Sequence, residues 1–172
     1  MVANSAASYE NGVHAEADET QYLTFQLAGE FYGVDILKVQ EIRGWTPATV
    51  IPNAPAYVKG VINLRGSIVP VIDLRQRLQM PAAEYTDSTV VIILSVARDG
   101  HQQTVGLVVD SVSDVLNIAD GEIREVPKIN ELEQAQYLAG IASQQEELVL
   151  VLDANLLFEN SELDMLNRTT AN

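Results

Sequence analysis

Catalysis needs an acid or base held beside a partner, or a nucleophile held beside a base, and this chain offers little from which to build either. It carries no cysteine and only two histidines, His14 and His101, against 24 acidic residues in 172. Thiol nucleophiles, thiolate metal sites and disulfide frameworks are excluded together. His14 lies in an aperiodic N-terminal stretch and His101 beside an Asp-Gly turn, so both read as surface residues rather than metal ligands. Carboxylate pairs occur at Asp110 with Asp114 and at Glu146 with Glu147, in segments that read as turns, where carboxylates are solvated. No phosphate-cradling glycine loop, dinucleotide fingerprint or nucleophile elbow is present. No enzyme, cofactor or metal site is expected.

What remains is recognition. The run Asn63-Leu64-Arg65-Gly66 places an arginine at the tip of an expected hairpin, and charged loop residues held by rigid strands are typical of binding. An arginine kept there for solubility is the plain alternative. The net charge of −14 makes nucleic acid a poor partner, because phosphate binding needs a field of opposite sign. Its distribution says more. From Lys38 to Arg77, six basic residues (Lys38, Arg43, Lys59, Arg65, Arg75, Arg77) face two acidic ones (Glu41, Asp73), giving +4, while the preceding segment carries −6 and the following one −12. Either this is a basic docking face for an acidic protein partner or it is chance clustering on a solvated surface. A barrel that binds a small ligand or single-stranded nucleic acid would need aromatic platforms in a basic groove. With 6% aromatics and one tryptophan, Trp45, the chain gives that reading little support.

The elements that position these residues are mostly strands. Met1 to Thr20 is polar and aperiodic and reads as a disordered tail, with the fold starting at Gln21. It also lacks the features of a secretory signal, and no run of about 18 apolar residues occurs, so a cytoplasmic location is expected. Leu23, Phe25 and Leu27 alternate with Tyr22, Thr24 and Gln26, as in a half-buried strand, and Ala28-Gly29-Glu30 turns into a second strand, Phe31 to Val34. Asp35 is placed to cap a short helix with Ile36, Val39 and Gln40 on one side and Ile42 close to that face. Val58–Asn63 and Ser67–Asp73 then form a hairpin about Leu64-Arg65-Gly66, with a positive φ expected at the glycine and Pro70 implying an edge strand or a bulge. Further strands are expected over 89–96, 104–110, 137–142 and 148–152, with Asp153 and Ser161 capping short helical pieces.

The chain also repeats itself. Gly33-Val34-Asp35 with Val39-x-Glu41-Ile42 recurs 73 residues later as Gly106-Leu107-Val108 with Val112-x-Asp114-Val115. Gly60-Val61 with Val69-Pro70-Val71-Ile72-Asp73 recurs 80 residues later as Gly140-Ile141 with Val149-Leu150-Val151-Leu152-Asp153. Two small β-barrels are expected, approximately 21–83 and 84–158, with strand exchange possible and 159–172 a short helix or tail. Units of about 70 residues bury too little core alone, so they should share an apolar interface.

Three ordered motifs resemble the CheW family: Gly60 to Arg75 (GVINLRGSIVPVIDLR), Tyr32 to Arg43 (YGVDILKVQEIR) and Val105 to Val115 (VGLVVDSVSDV). The resemblance spans about Gln21 to Phe158. It implies a mainly β fold of two packed five-stranded SH3-like barrels with short helices. It implies a chemotaxis adaptor without catalytic activity, which couples methyl-accepting chemoreceptors, through their cytoplasmic hairpin tip, to the regulatory domain of the histidine kinase CheA. Such an adaptor is cytoplasmic, reaches the membrane only through receptor arrays, and needs no cofactor.

Carried over by position, the resemblance places Val39 on the receptor-binding side with Ile36 and Ile42 as neighbours, and Glu41 and Arg65 facing each other near it. Arg65 then either braces the hairpin through Glu41 or reaches a partner's carboxylate. Val90, Val91, Val112 and Val115 match positions of the receptor groove, with simple barrel core as the alternative. Gly60 matches the partner-coupling region, with close backbone packing as its alternative, and Asn63, Leu64 and Gly66 fall in the same kinase-coupling stretch.

Overall fold

Strand β1 (Glu19–Leu27) follows from its alternation, yet it is buried on both faces at its centre: Leu23, Phe25 and Leu27 point to one core, and Tyr22 and Thr24 are also buried. The computed structural model describes residues 18–127 and 133–158. The tail up to Ala17, His14 and the expected cap at Ser161 lie outside the described residues. The expected boundary at Gln21 falls inside β1. Glu19 and Thr20 already pair with Ala119 and Ile118, and Asp120 N–H donates to the Asp18 carbonyl at 2.8 Å.

After β1 come β2 (Glu30–Asp35), β3 (Val39–Gly44), β4 (Val58–Leu64), β5 (Ser67–Asp73), the single-turn helix α1 (Leu74–Arg77), β6 (Val90–Arg98) and β7 (His101–Val109). They are followed by β8 (Ser111–Ala119), β9 (Ile123–Arg124), β10 (Leu138–Gln144) and β11 (Glu147–Leu152). Short 3₁₀ turns occupy Ile36–Lys38, Asp120–Glu122, Glu133–Tyr137 and Ala154–Leu157. The protein is mainly β, as expected. Its strands form a six-stranded sheet in the order β8-β1-β2-β11-β10-β9 and a five-stranded sheet in the order β3-β6-β7-β5-β4.

Strands are exchanged across the approximate division at 83/84, the possibility left open above. Strands β1 and β2 join β8 to β11, whereas β3 to β7 make the other sheet. Each sheet carries one parallel contact between strands distant in sequence: β2 with β11, Gly33 opposite Val151, and β7 with β5, Gly106 opposite Val71. These two pairs are related by the 73- and 80-residue recurrences.

Three local expectations are corrected. The helix after Asp35 is one 3₁₀ turn, Ile36–Lys38, capped by the Asp35 carboxylate accepting from Leu37 N–H at 2.9 Å; Val39 to Gly44 is strand, paired with β6. A lone short helix gains little, and long-range pairing of β-branched residues wins. Pro70 is not on an edge, since β5 lies between β4 and β7; the register with β4 shifts beside it, between Val58 and Gly60, as the bulge alternative had it, and the parallel pairing with β7 begins one residue beyond it at Val71. The stretch containing Val112 and Val115 is a nine-residue strand, β8, which the sequence reading did not delimit.

Apolar side chains are sorted by the two-residue period. The principal core draws on both sheets, including Phe25, Leu27, Ile72, Ile92, Leu94 and Leu107. A smaller cluster of Tyr22, Ile118, Ala142 and Val151 belongs to the six-stranded sheet, and one of Val71, Val91, Ile93 and Val108 to the five-stranded sheet. Neighbours such as Val91 and Ile92, or Val151 and Leu152, therefore serve different cores. Strands buried on both faces read as continuous apolar runs, which is why Val90 to Leu94 shows no polar alternation.

Candidate protein-docking site

The five-stranded sheet has β3 at one edge and β4 at the other, and the segment between them folds back so that Thr49 pairs with Val61 through two backbone bonds of 2.9 Å. This brings the β4–β5 tip to β3. The tip turns at Arg65 and Gly66, both at positive φ (52° and 88°), the pattern of a type I′ hairpin turn. Expectation placed positive φ only at the glycine. Asn63 Oδ1 accepts from Gly66 N–H at 2.8 Å and holds the turn, and Leu64 packs against the small core of this sheet.

Across the seam, Arg65 Nη2 donates to Glu41 Oε2 at 2.6 Å. Arg65 is 78% exposed and Glu41 23% exposed, so the carboxylate is the sheltered partner. Its other oxygen lies 3.6 Å from Arg43 Nε. The sequence analysis counted Arg43 only among the basic residues of this segment and did not pair it with Glu41, because it read this stretch as a short helix. Two residues apart on a strand, 41 and 43 share a face, and that period would have found it.

Around this cluster the expected receptor-side residues divide. Ile36 and Val39 are half-buried and pack on the principal core, as do Val90 and Val112. Val91 is 4% exposed in the small core, so barrel core accounts for it. Ile42 and Val115 are exposed at 43% and 48%. They lie on β3 and β8, strands of the same recurrence and each the edge of its sheet. Leu37, 88% exposed on the turn leading into β3, adds an apolar residue that sequence reading passed over.

Gly60 is buried at φ +137°, and a Cβ placed there would stand 2.0 Å from the Thr49 carbonyl oxygen. Close backbone approach thus accounts for this glycine. Its counterpart Gly140 meets Arg124 O and Ile123 in the same way.

Asp110 corrects another expectation. It does not sit solvated in a turn: it accepts from Arg75 Nε at 2.8 Å and Nη2 at 2.5 Å, and from Ala28 N–H at 2.9 Å. The carboxylate holds the β1–β2 turn, α1 and the β7–β8 crossover together. The Arg75 hydrogen bonds hold its pKa below the usual carboxylate range, against opposing desolvation. Asp114 is in β8 rather than a turn, with its backbone N–H and carbonyl both bonded to the buried Thr24 hydroxyl. His101 is exposed at the start of β7. Trp45 is not a free stacking platform, since its ring meets Tyr85 edge-on with centroids 4.5 Å apart. Tyr85 in turn donates its hydroxyl to Asp73, and burial pushes its pKa up. Among the described residues no group of three or more His, Asp or Glu converges on a metal position.

Comparison with known proteins adds an independent line. Residues 21–162 match the family described as the CheW-like domain. The chain is 42% identical over 147 residues to the chemotaxis protein CheW of Klebsiella aerogenes, covering 86% of each. It is 35% identical to that of Bacillus subtilis, covering 80% of this chain and 85% of the relative. Its structure superposes on the crystal structure of the scaffolding protein TtCheW from Thermoanaerobacter tengcongensis with a TM-score of 0.73 at 33% identity, covering 83% and 90% of the two chains.

Proposed function

The chain belongs to the CheW family of non-catalytic chemotaxis scaffolds, and from that premise we propose that it couples the cytoplasmic hairpin tip of methyl-accepting chemoreceptors to the regulatory domain of the histidine kinase CheA. The observation that carries this reading is the seam at Glu41: an exposed arginine on a rigid hairpin tip, braced at 2.6 Å against an edge strand that also presents exposed Ile42. Receptor contact falls on Ile36, Val39, Glu41, Ile42 and Arg65, with Val112 and Val115 on β8 as its second border. Kinase contact falls on the rest of the hairpin, at Gly60, Asn63, Leu64 and Gly66. Within it, Gly60, Asn63 and Gly66 shape the backbone that is presented, rather than offering side chains to the kinase.

No bond is made or broken in such a device. Signal passes because the assembly favours one kinase conformation over another through contacts that differ between them. No helix of the described residues is long and apolar enough to cross a membrane; membrane location comes through the receptors. The test is sedimentation of receptor-bearing membranes with this chain, with the kinase, and with both. Kinase should pellet strongly only when the chain is present. A chain that stays in the supernatant in every mixture defeats the reading.

A further inference from the structure

The two halves of the repeat meet at one buried cation. Arg77, the last residue of α1, is 9% exposed, and its guanidinium carbon lies 4.8 Å from the ring centroid of Tyr57 and 4.7 Å from that of Tyr137. Those tyrosines are 80 residues apart and correspond in the repeat. The Tyr57 carbonyl accepts from Asp73 N–H at 2.8 Å, and the Tyr137 carbonyl from Asp153 N–H at 3.0 Å. Each of these aspartates caps the helical turn that follows its strand, α1 or Ala154–Leu157. Arg77 Nε then donates at 2.9 Å to the carbonyl of Leu157, its own counterpart 80 residues on. The guanidinium thus lies between the equivalent tyrosines of the two halves, one leading into β4 and the other into β10.

We propose that Arg77 is a positioning residue that pins the two sheets at a fixed angle, and thereby fixes the relative direction of the surfaces through which the chain is gripped by its partners. Apolar contact between the sheets is non-directional and tolerates sliding. A planar guanidinium over two ring faces, with one N–H aimed at a carbonyl, does not. Only one of the two equivalent positions carries the arginine, and the other supplies the accepting carbonyl. The consequence for coupling rests on the function proposed above; the pin itself does not.

The absence of cysteine allows spin labels to be placed without background. With His101→Cys on the five-stranded sheet and Ser143→Cys on the six-stranded one, both exposed, the distance distribution between the labels reads the angle without any partner. The native chain should give one narrow distribution. Arg77→Met, which keeps the length and loses the charge and the N–H, should give a broader or split one while circular dichroism remains native. Arg77→Lys, which keeps the charge without the planar face, should fall between. If Arg77→Met does not fold, Arg77→Lys against the native chain carries the comparison. In the assembled system, Arg77→Met should retain its affinity for receptor and for kinase measured singly, yet lose roughly fivefold or more of receptor-stimulated kinase activity. A variant distribution as narrow as the native one overturns the pin. A broadened distribution with undiminished stimulation overturns its role in coupling. A native chain that binds neither partner defeats the proposed function instead, and leaves the distance measurement to judge the pin.

Discussion

Arg65 and Glu41, 24 residues apart in sequence, close the seam of the five-stranded sheet through a 2.6 Å hydrogen bond between the tip of the β4–β5 hairpin and β3. With Arg65 78% exposed, the pair contributes at most about 1 kcal/mol to folding. The charge-assisted bond has a specific geometry, and on the proposed function its value is orientation of the tip.

Charge reversal separates the brace from direct contact. Arg65→Glu should impair receptor-stimulated kinase activity without shifting the denaturation midpoint, and adding Glu41→Arg should restore part of it. Restoration stays partial because Arg43, 3.6 Å from Glu41, would then face a like charge. The cycle is read as a coupling energy from the two single mutants and the double. A reversed pair as defective as Arg65→Glu alone would mean that Arg65 touches a partner's carboxylate.

Ile42 and Val39 make a matched pair on one strand. Ile42 is 43% exposed, so Ile42→Glu should weaken receptor binding and leave stability within about 0.5 kcal/mol. Val39 packs on the principal core, so Val39→Glu should cost about 1–3 kcal/mol of stability as well as binding. Receptor affinity and urea midpoints of both variants check this, and undiminished receptor affinity in Ile42→Glu would remove β3 from the interface.

Gly60→Ala tests close packing against coupling. A methyl group 2.0 Å from the Thr49 carbonyl must displace the Thr49–Val61 pairing. Overpacking costs about 1–3 kcal/mol and the positive φ adds to it. The urea midpoint should drop accordingly. Full stability with lost kinase affinity would instead make Gly60 a contact residue.

Asp110 sets a pH dependence. Its pKa is lowered from the usual 3.8 by Arg75, so the pair's stabilisation is complete above that value and is lost as pH falls through the depressed folded value. Arg75→Ala or Asp110→Asn should cost about 1–2 kcal/mol near neutrality, given side chains 22% and 33% exposed. The gap between native chain and Asp110→Asn should stay constant above about pH 5 and shrink below about pH 4. Parallel stability curves down to pH 2 would show that the bidentate pair contributes nothing.

Local pattern alone determined a good deal. Alternation in 21–27 and the glycine turns specify strands, because a two-residue period and a positive φ are properties of the chain itself. The 80-residue recurrence placed Gly60 and Gly140 in equivalent positions, and both prove to be close backbone approaches. The three motifs named the family. Other features arise only when distant segments meet. Val39–Gly44 is strand because β6 pairs with it, and Pro70 sits inside a sheet because β7 arrives one residue later. Which strand joins which sheet depends on parallel contacts across roughly 35 and 118 positions, such as Val71 with Gly106 and Gly33 with Val151, and no short-range period encodes these. For the same reason Arg75, Arg77 and Asp110 read as surface charges in the sequence and as internal ties in the fold. A charged side chain's role is set by what folding places opposite it.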